Sequence, residues 1–273
     1  MNVSHALFIA ALLLYTAGAG LYHVRFLTRN GGAVPAHIAT ALGWIAHTIA
    51  IGIRTLELGH APYVQFSEAV STMAWVIVLL TLAIEFRKQM SALGAFSMPI
   101  VVLVMFLADT LPSSNGYSPI LAGLSDNPLK SHIGALVTAF GAFALSFCAA
   151  LLYLLQERRL KRKQMPSHAN EPSLAEVESL ALSLAAFGFS LLSLGLVLGV
   201  VTAWQGAWKG QWLFQPIVLT TFATWLMYAV LLFRRGVLGK RGRQTVYYLL
   251  VGFVIAAATL LFVRAAFPGQ HRF

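Results

Sequence analysis

Eight apolar runs, each parted from the next by a polar or charged stretch, organise this chain. They run approximately from Ser4 to Leu27, Ala36 to Ile53, Ala69 to Phe86 and Ala92 to Leu111, then from Ser131 to Leu155, Leu180 to Trp204, Ile217 to Phe233 and Thr245 to Phe267. Each is near the roughly 20 residues that a helix needs to cross a bilayer. The pattern predicts an all-α, polytopic membrane helix bundle forming a single domain over residues 1–273. The second and seventh runs are short, and Pro99 should kink the fourth. Between the fifth and sixth runs, residues 165–173 read as a loop with Pro166 and Pro172. Ser173 followed by Glu176 has the spacing of a capping box that starts the sixth helix before its apolar run.

Composition sharpens this picture. The chain is 58% hydrophobic and only 10% charged, with a mean hydropathy of +0.75, far from the balance of a soluble domain. A net charge of +10 would suggest nucleic acid in a soluble protein. Here the charge is lopsided instead: 14 of the 19 lysines and arginines fall in the loops after the odd-numbered runs. The positive-inside rule makes those loops cytoplasmic and places both termini outside. The basic run from Arg158 to Lys163 then reads as an anchor beside anionic lipid, and nucleic acid is not an expected partner. The N-terminal run lacks the basic start of a signal peptide and is expected to remain as the first span. Cys148 is the one cysteine. It excludes dithiol exchange by this chain alone and is expected to behave as a small buried hydrophobe.

Topology sorts the eight histidines. His23, His37 and His168 fall on the cytoplasmic side; His5, His60, His132 and His271 fall outside; His47 lies in the outer half of the second span. Ionisable groups at membrane depth are costly and mark function. Arg54 follows His47 by seven residues, which puts both on one helical face. His132 opens the fifth span and His271 follows the eighth, beyond Pro268-Gly269. Two imidazoles meeting at one membrane face could hold a porphyrin iron. The outer loop from Ala203 to Pro216, with Trp204, Trp208, Trp212 and Phe214, would give such a group an aromatic wall, or simply anchor the chain at the interface. His5 reads as a solvated terminal residue, Asp109 as a lone carboxylate near an outer helix end, and Glu68 as a cap on the third helix near Ser67.

Four segments resemble the cytochrome c assembly membrane proteins, the CcsA, HemX and CcmC relatives that handle haem. These are His47-Thr48-Ile49 with Arg54, Gly59-His60-Ala61-Pro62-Tyr63 and Glu68; Pro128-Leu129-Lys130-Ser131-His132 with the span that follows; Gly210, Trp212, Phe214-Gln215-Pro216 with Thr224-Trp225-Leu226-Met227-Tyr228; and Gly269-Gln270-His271. The resemblance implies that His132 and His271 are the axial ligands of an external haem b, and that His47 holds haem within the membrane. It implies that Trp208, Trp212 and Phe214 wall the porphyrin, with Arg54, Lys130 or Arg264 pairing with its propionates. Two positions depart from the family pattern. Phe214-Gln215-Pro216 stands where Trp-Asp-Pro is usual, and Phe233 stands where a second in-membrane histidine is expected. Both point to the short HemX-type branch.

By this resemblance the chain is a multi-pass protein of the bacterial inner (plasma) membrane, working in cytochrome c maturation with other maturation proteins and apocytochrome c. It is not expected to be an enzyme, and haem transfer would need a thiol-bearing partner. The rival reading is a membrane scaffold, or a regulator of haem biosynthesis, that has kept the fold and lost haem transfer. A transporter of another solute would need broken helices or internal repeats. An intramembrane protease would need a Ser/His or paired-aspartate arrangement. The spans display neither pattern.

Overall fold

The computed structural model describes residues 2–28, 33–59, 63, 65–88, 90–110, 127–163, 172–205, 211–239 and 242–266, with backbone only at 127, 205, 211–212 and 259–266. Eight α-helices account for most of these residues. They are α1 (Val3–Thr28), α2 (Val34–Leu58), α3 (Phe66–Lys88), α4 (Ala92–Thr110), α5 (Asn127–Lys161), α6 (Leu174–Gln205), α7 (Pro216–Gly236) and α8 (Arg243–Ala266); a short 3-10 turn, Gln211–Phe214, precedes α7. Among the described residues seven helices are long and apolar enough to cross a membrane, and α8 is apolar over Arg243–Ala258. The expected polytopic helix bundle is therefore what the sequence forms.

The helices outrun the apolar runs that predicted them. The run read as ending at Ile53 continues to Leu58, where Gly59 closes α2 in the left-handed region (φ 71°) and returns its N–H to the Thr55 carbonyl. Glycine suits that position because a Cβ there is strained. His47 sits near the middle of α2. The longest helix, α5, has 35 residues, or about 52 Å at 1.5 Å per residue, well beyond a hydrocarbon core of about 30 Å. The expected capping box opens α6: Glu176 accepts from the Ser173 N–H at 2.7 Å, and the Glu176 N–H donates to Ser173 Oγ at 3.2 Å.

The chain divides into two compact units. Residues 1–113 and 151–177 form the first; residues 114–150 and 178–273 form the second. In the first unit α1 packs on α2, α2 on α3, α3 on α4, and α4 returns to α1. The buried stripe of α2 is Ala36, Thr40, Gly43, His47 and Ala50, small or polar at every step. That of α1 is Ser4, Ala11, Tyr15, Gly18 and Tyr22. Large aliphatic side chains such as Leu13, Val24 and Ile45 face outward. Lipid solvates them as well as a core would, so small residues that let backbones approach take the interface instead. A Cβ on Gly43 would lie 2.8 Å from the Tyr15 ring.

In the second unit the same logic joins α5 to α6. Gly188, Gly195 and Gly199 of α6 face Phe143, Leu136 and His132 of α5 in turn. Ser146 Oγ donates to the Ala181 carbonyl at 2.7 Å. Phe143 stacks on Tyr228 of α7 with centroids 3.9 Å apart. Cys148 is fully buried within this packing, as its apolar surroundings predicted.

Candidate functional site

His132 emerges from α5 one turn after its start and lies along α6. Its Nδ1–H donates to the Gly195 carbonyl at 2.6 Å. A carbonyl can only accept, so this bond fixes the tautomer: Nδ1 carries the proton and Nε2 keeps its lone pair. The ring rests on Gly199, where a Cβ would approach Cε1 to 2.8 Å. Glycine at 199 therefore makes room for the imidazole, and the main chain at 195 orients it. Among the described residues, the bond to Gly195 is the hydrogen bond His132 makes. The arrangement matches that of metal-ligating histidines, which commonly donate the other ring nitrogen to a backbone carbonyl.

Phe214 ends the 3-10 turn and is 78% exposed. Trp204, at the end of α6, is also exposed. Both present apolar surface within the unit that carries His132. His271, Trp208 and the side chain of Trp212 lie outside the described residues, as do His60, His168 and the side chain of Arg264. The backbone of Trp212 belongs to the 3-10 turn. Trp225, in the next helix, donates its indole N–H to Ser193 Oγ at 2.8 Å and stacks between Phe189 and Phe222. Phe233 is 58% exposed on α7.

The first unit holds His47, with none of its surface exposed. Both ring nitrogens are engaged: Nδ1 lies 3.3 Å from Tyr15 Oη, and Nε2 lies 2.9 Å from Ser71 Oγ. Phe8 and Tyr15 meet the ring edge-on. A buried imidazole must find such partners or forfeit hydration uncompensated. Arg54, one face-repeat further along α2, has its Nε 3.6 Å from Glu68 Oε1. Glu68 also accepts from the Gln65 N–H at 3.2 Å, so the expected cap is present and carries an ion pair besides. His5 and Asp109 correct two expectations: the terminal histidine is within 3.1 Å of the carboxylate read as solitary.

A third cluster went unseen in the sequence. Glu85, in the last turns of α3, has a side chain 1% exposed. It accepts from Tyr22 Oη and from the Gly94 N–H at 3.1 Å, and His37 Nε2 is 2.8 Å away. Glu85 adjoins Phe86-Arg87-Lys88 and was not singled out in the sequence. What could have flagged it is a carboxylate placed before the basic end of an otherwise apolar run. Among the described residues no three His, Cys, Asp or Glu side chains gather as a metal site.

Lipid-length helices that bury histidine and carboxylate side chains, and that present one tautomer-locked imidazole, define a polytopic membrane protein built around polar sites. A family model described as "Cytochrome C assembly protein" matches residues 63–271, so this chain belongs to the cytochrome c assembly protein family. The matched segment holds His132, the 3-10 turn and His271; it begins after α2, which carries His47 and Arg54. The chain is 25% identical to "Cytochrome c biogenesis protein CcsA" of Guillardia theta, over 86% of this chain and 84% of that one. It is 27% identical to "Protein HemX" of Brevibacillus brevis, over 69% and 70% of the two chains. Against "Protein HemX" of Bacillus subtilis (strain 168) it is 24% identical, over 85% and 84%.

Proposed function

We propose that this protein holds haem at the non-cytoplasmic face of the inner (plasma) membrane during cytochrome c maturation, with His132 and His271 as the axial pair. One observation supports the reading: the Gly195 carbonyl accepts a hydrogen bond from His132 Nδ1–H, which leaves the Nε2 lone pair free to ligate. Family membership supplies the context. Haem b is the cargo, passed on rather than used. Phe214 and the loop tryptophans Trp208 and Trp212 exclude water from one porphyrin face. The chain's single cysteine leaves thiol chemistry to apocytochrome c or to another maturation protein. The two units serve as one assembly domain over residues 1–273.

His47 and Arg54 have secondary places. His47 would hold haem in transit only by giving up Tyr15 or Ser71. Arg54 would meet a propionate only in competition with Glu68. Phe233 favours a second reading, in which the fold persists as a scaffold or a regulator of haem biosynthesis. It stands exposed where the resemblance calls for an in-membrane histidine.

The visible spectrum of detergent-purified protein separates the two. The haem-holding reading expects a Soret band with low-spin α and β bands, lost in the His132→Ala/His271→Ala double variant. A wild-type protein that shows no Soret band after haem is supplied would leave the scaffold.

A further inference from the structure

The hairpin of α7 and α8 is rich in cations and carries no carboxylate of its own. After Glu178 the sequence contains no further Asp or Glu. Phenols hold two of the hairpin's arginines. Across the hairpin, Arg234 Nη1 donates to Tyr248 Oη at 2.6 Å, and its guanidinium carbon lies 4.6 Å from the centre of that ring. At the start of α8, Arg243 donates to Tyr247 Oη from Nε at 3.1 Å and from Nη2 at 2.8 Å, with the guanidinium 5.3 Å from the ring centre. Glu178 fixes the entry to α8 by accepting from the Gly242 N–H at 2.8 Å. Gly242 has a φ of 82°, which a side chain there would strain.

A surface arginine ordinarily samples many rotamers, and ordering it costs entropy. Here the fold meets that cost with ring contact and a hydrogen bond. A carboxylate in the tyrosine's place would orient the guanidinium and cancel its charge. A neutral phenol orients it and leaves the charge whole. Among the described residues, the bond from Nη1 to Tyr248 is the hydrogen bond Arg234 makes. The N–H groups on Nε and Nη2 remain for a bidentate acceptor, which is the geometry a phosphate offers. The surroundings narrow the source of that phosphate. Arg234 lies in the last turn of α7, and Tyr247 and Tyr248 are exposed, as tyrosines at a membrane–water boundary commonly are. Leu226, Val230 and Phe233 are exposed on the same helix at spacings that share one face. A charged end with an apolar flank matches an amphiphile. A nucleic acid or an acidic protein would use the cations and leave the flank idle.

We propose that the α7–α8 hairpin binds the headgroup phosphate of an anionic phospholipid, at the membrane surface that the charge asymmetry makes cytoplasmic. Arg234 is the fork that takes the phosphate, and Tyr248 is the brace that aims it. Arg243, held by Tyr247, supplies a second cation at the same end of the hairpin. The acyl chains lie along the face of Leu226, Val230 and Phe233. This is a site of defined composition, unlike the diffuse attraction that exposed cations such as Arg162 and Lys163 exert on a charged leaflet.

The test is native mass spectrometry of the full-length protein in ammonium acetate, with phosphatidylglycerol or phosphatidylcholine added in turn. Salt largely screens diffuse attraction, whereas direct contact between fork and phosphate persists. The wild-type protein should retain phosphatidylglycerol preferentially. Arg234→Gln should reduce that preference about fivefold, the effect of one cation at an anionic surface. Tyr248→Phe keeps every charge and should still reduce it, because the fork loses its brace. Arg162→Gln removes a charge from another basic loop and should leave it unchanged. Glycerol 3-phosphate offers the phosphate without acyl chains and should not displace the lipid. No preference in the wild type, equal losses in Arg234→Gln and Arg162→Gln, or an unchanged Tyr248→Phe would each overturn the proposal. Displacement by glycerol 3-phosphate would overturn it too, in favour of a soluble phosphate ester. Should Arg234→Gln not fold, Tyr248→Phe against Arg162→Gln decides alone. Haem plays no part in this readout, so the outcome is independent of the haem-holding reading.

Discussion

Histidines in this protein differ by what their second nitrogen is given. His132 has a carbonyl on Nδ1, which commits that nitrogen to donate and frees the other to ligate. His47 has a hydroxyl on each side, and a hydroxyl can donate or accept. That makes His47 a satisfied core residue in this conformation, whatever it does in transit. Ser71→Ala tests which description holds. Removing the hydroxyl strands a buried ring nitrogen, so the variant should unfold earlier, at a cost of about 1–3 kcal/mol, with its visible spectrum unchanged. If His47 instead serves as a haem ligand in the resting protein, freeing Nε2 should strengthen the Soret band, and that result would remove the structural account. The sequence carried His47 plainly, because a lone imidazole stands out in an apolar run, whether as a functional group or as a satisfied core residue. Glu85 was hidden, because a carboxylate beside Arg87 and Lys88 looks solvated until its neighbours from three other helices are placed around it.

At the scale of elements, helix number and order were legible in the sequence while helix faces were not. Apolar runs announce spans because no other backbone satisfies its hydrogen bonds in lipid. Faces are hidden because Leu13 and Ile45 on the lipid side are as apolar as anything inside. The signal lies in small residues instead: Gly18 against Thr40, Gly43 against Tyr15, and the row Gly188, Gly195, Gly199 against α5. This row also explains how His132 is oriented, since it needs α6 close enough for a carbonyl to reach its ring. Gly188 is the most sensitive member. A Cβ there would meet Phe143 at 2.7 Å and the Ala139 carbonyl at 3.0 Å, and Phe143 is backed by Tyr228. Gly188→Ala should therefore destabilise by about 1–3 kcal/mol. Gly52→Ala, with open space around it, should be neutral or gain up to about 1 kcal/mol from helix propensity. Thermal denaturation in one detergent compares them. Equal midpoints for the two variants would mean that the glycine row does not set the α5–α6 approach.

For the whole molecule, the decisive quantity is which face each end of α5 occupies. His132 sits near one end and the basic run Arg158–Lys163 at the other, so one helix links the proposed haem face to the charge that sets orientation. Fourteen cations against five favour basic loops in the cytoplasm, since translocating each across the membrane is unfavourable. The chain is convenient for testing this. Its only cysteine, Cys148, is fully buried and should resist a membrane-impermeant maleimide. Ser131 and Arg162 are both exposed, at opposite ends of α5. In intact cells or right-side-out vesicles Ser131→Cys should label and Arg162→Cys should not; in inverted vesicles the pattern should reverse. The opposite result would put His132 in the cytoplasm, where haem-holding would precede export rather than follow it.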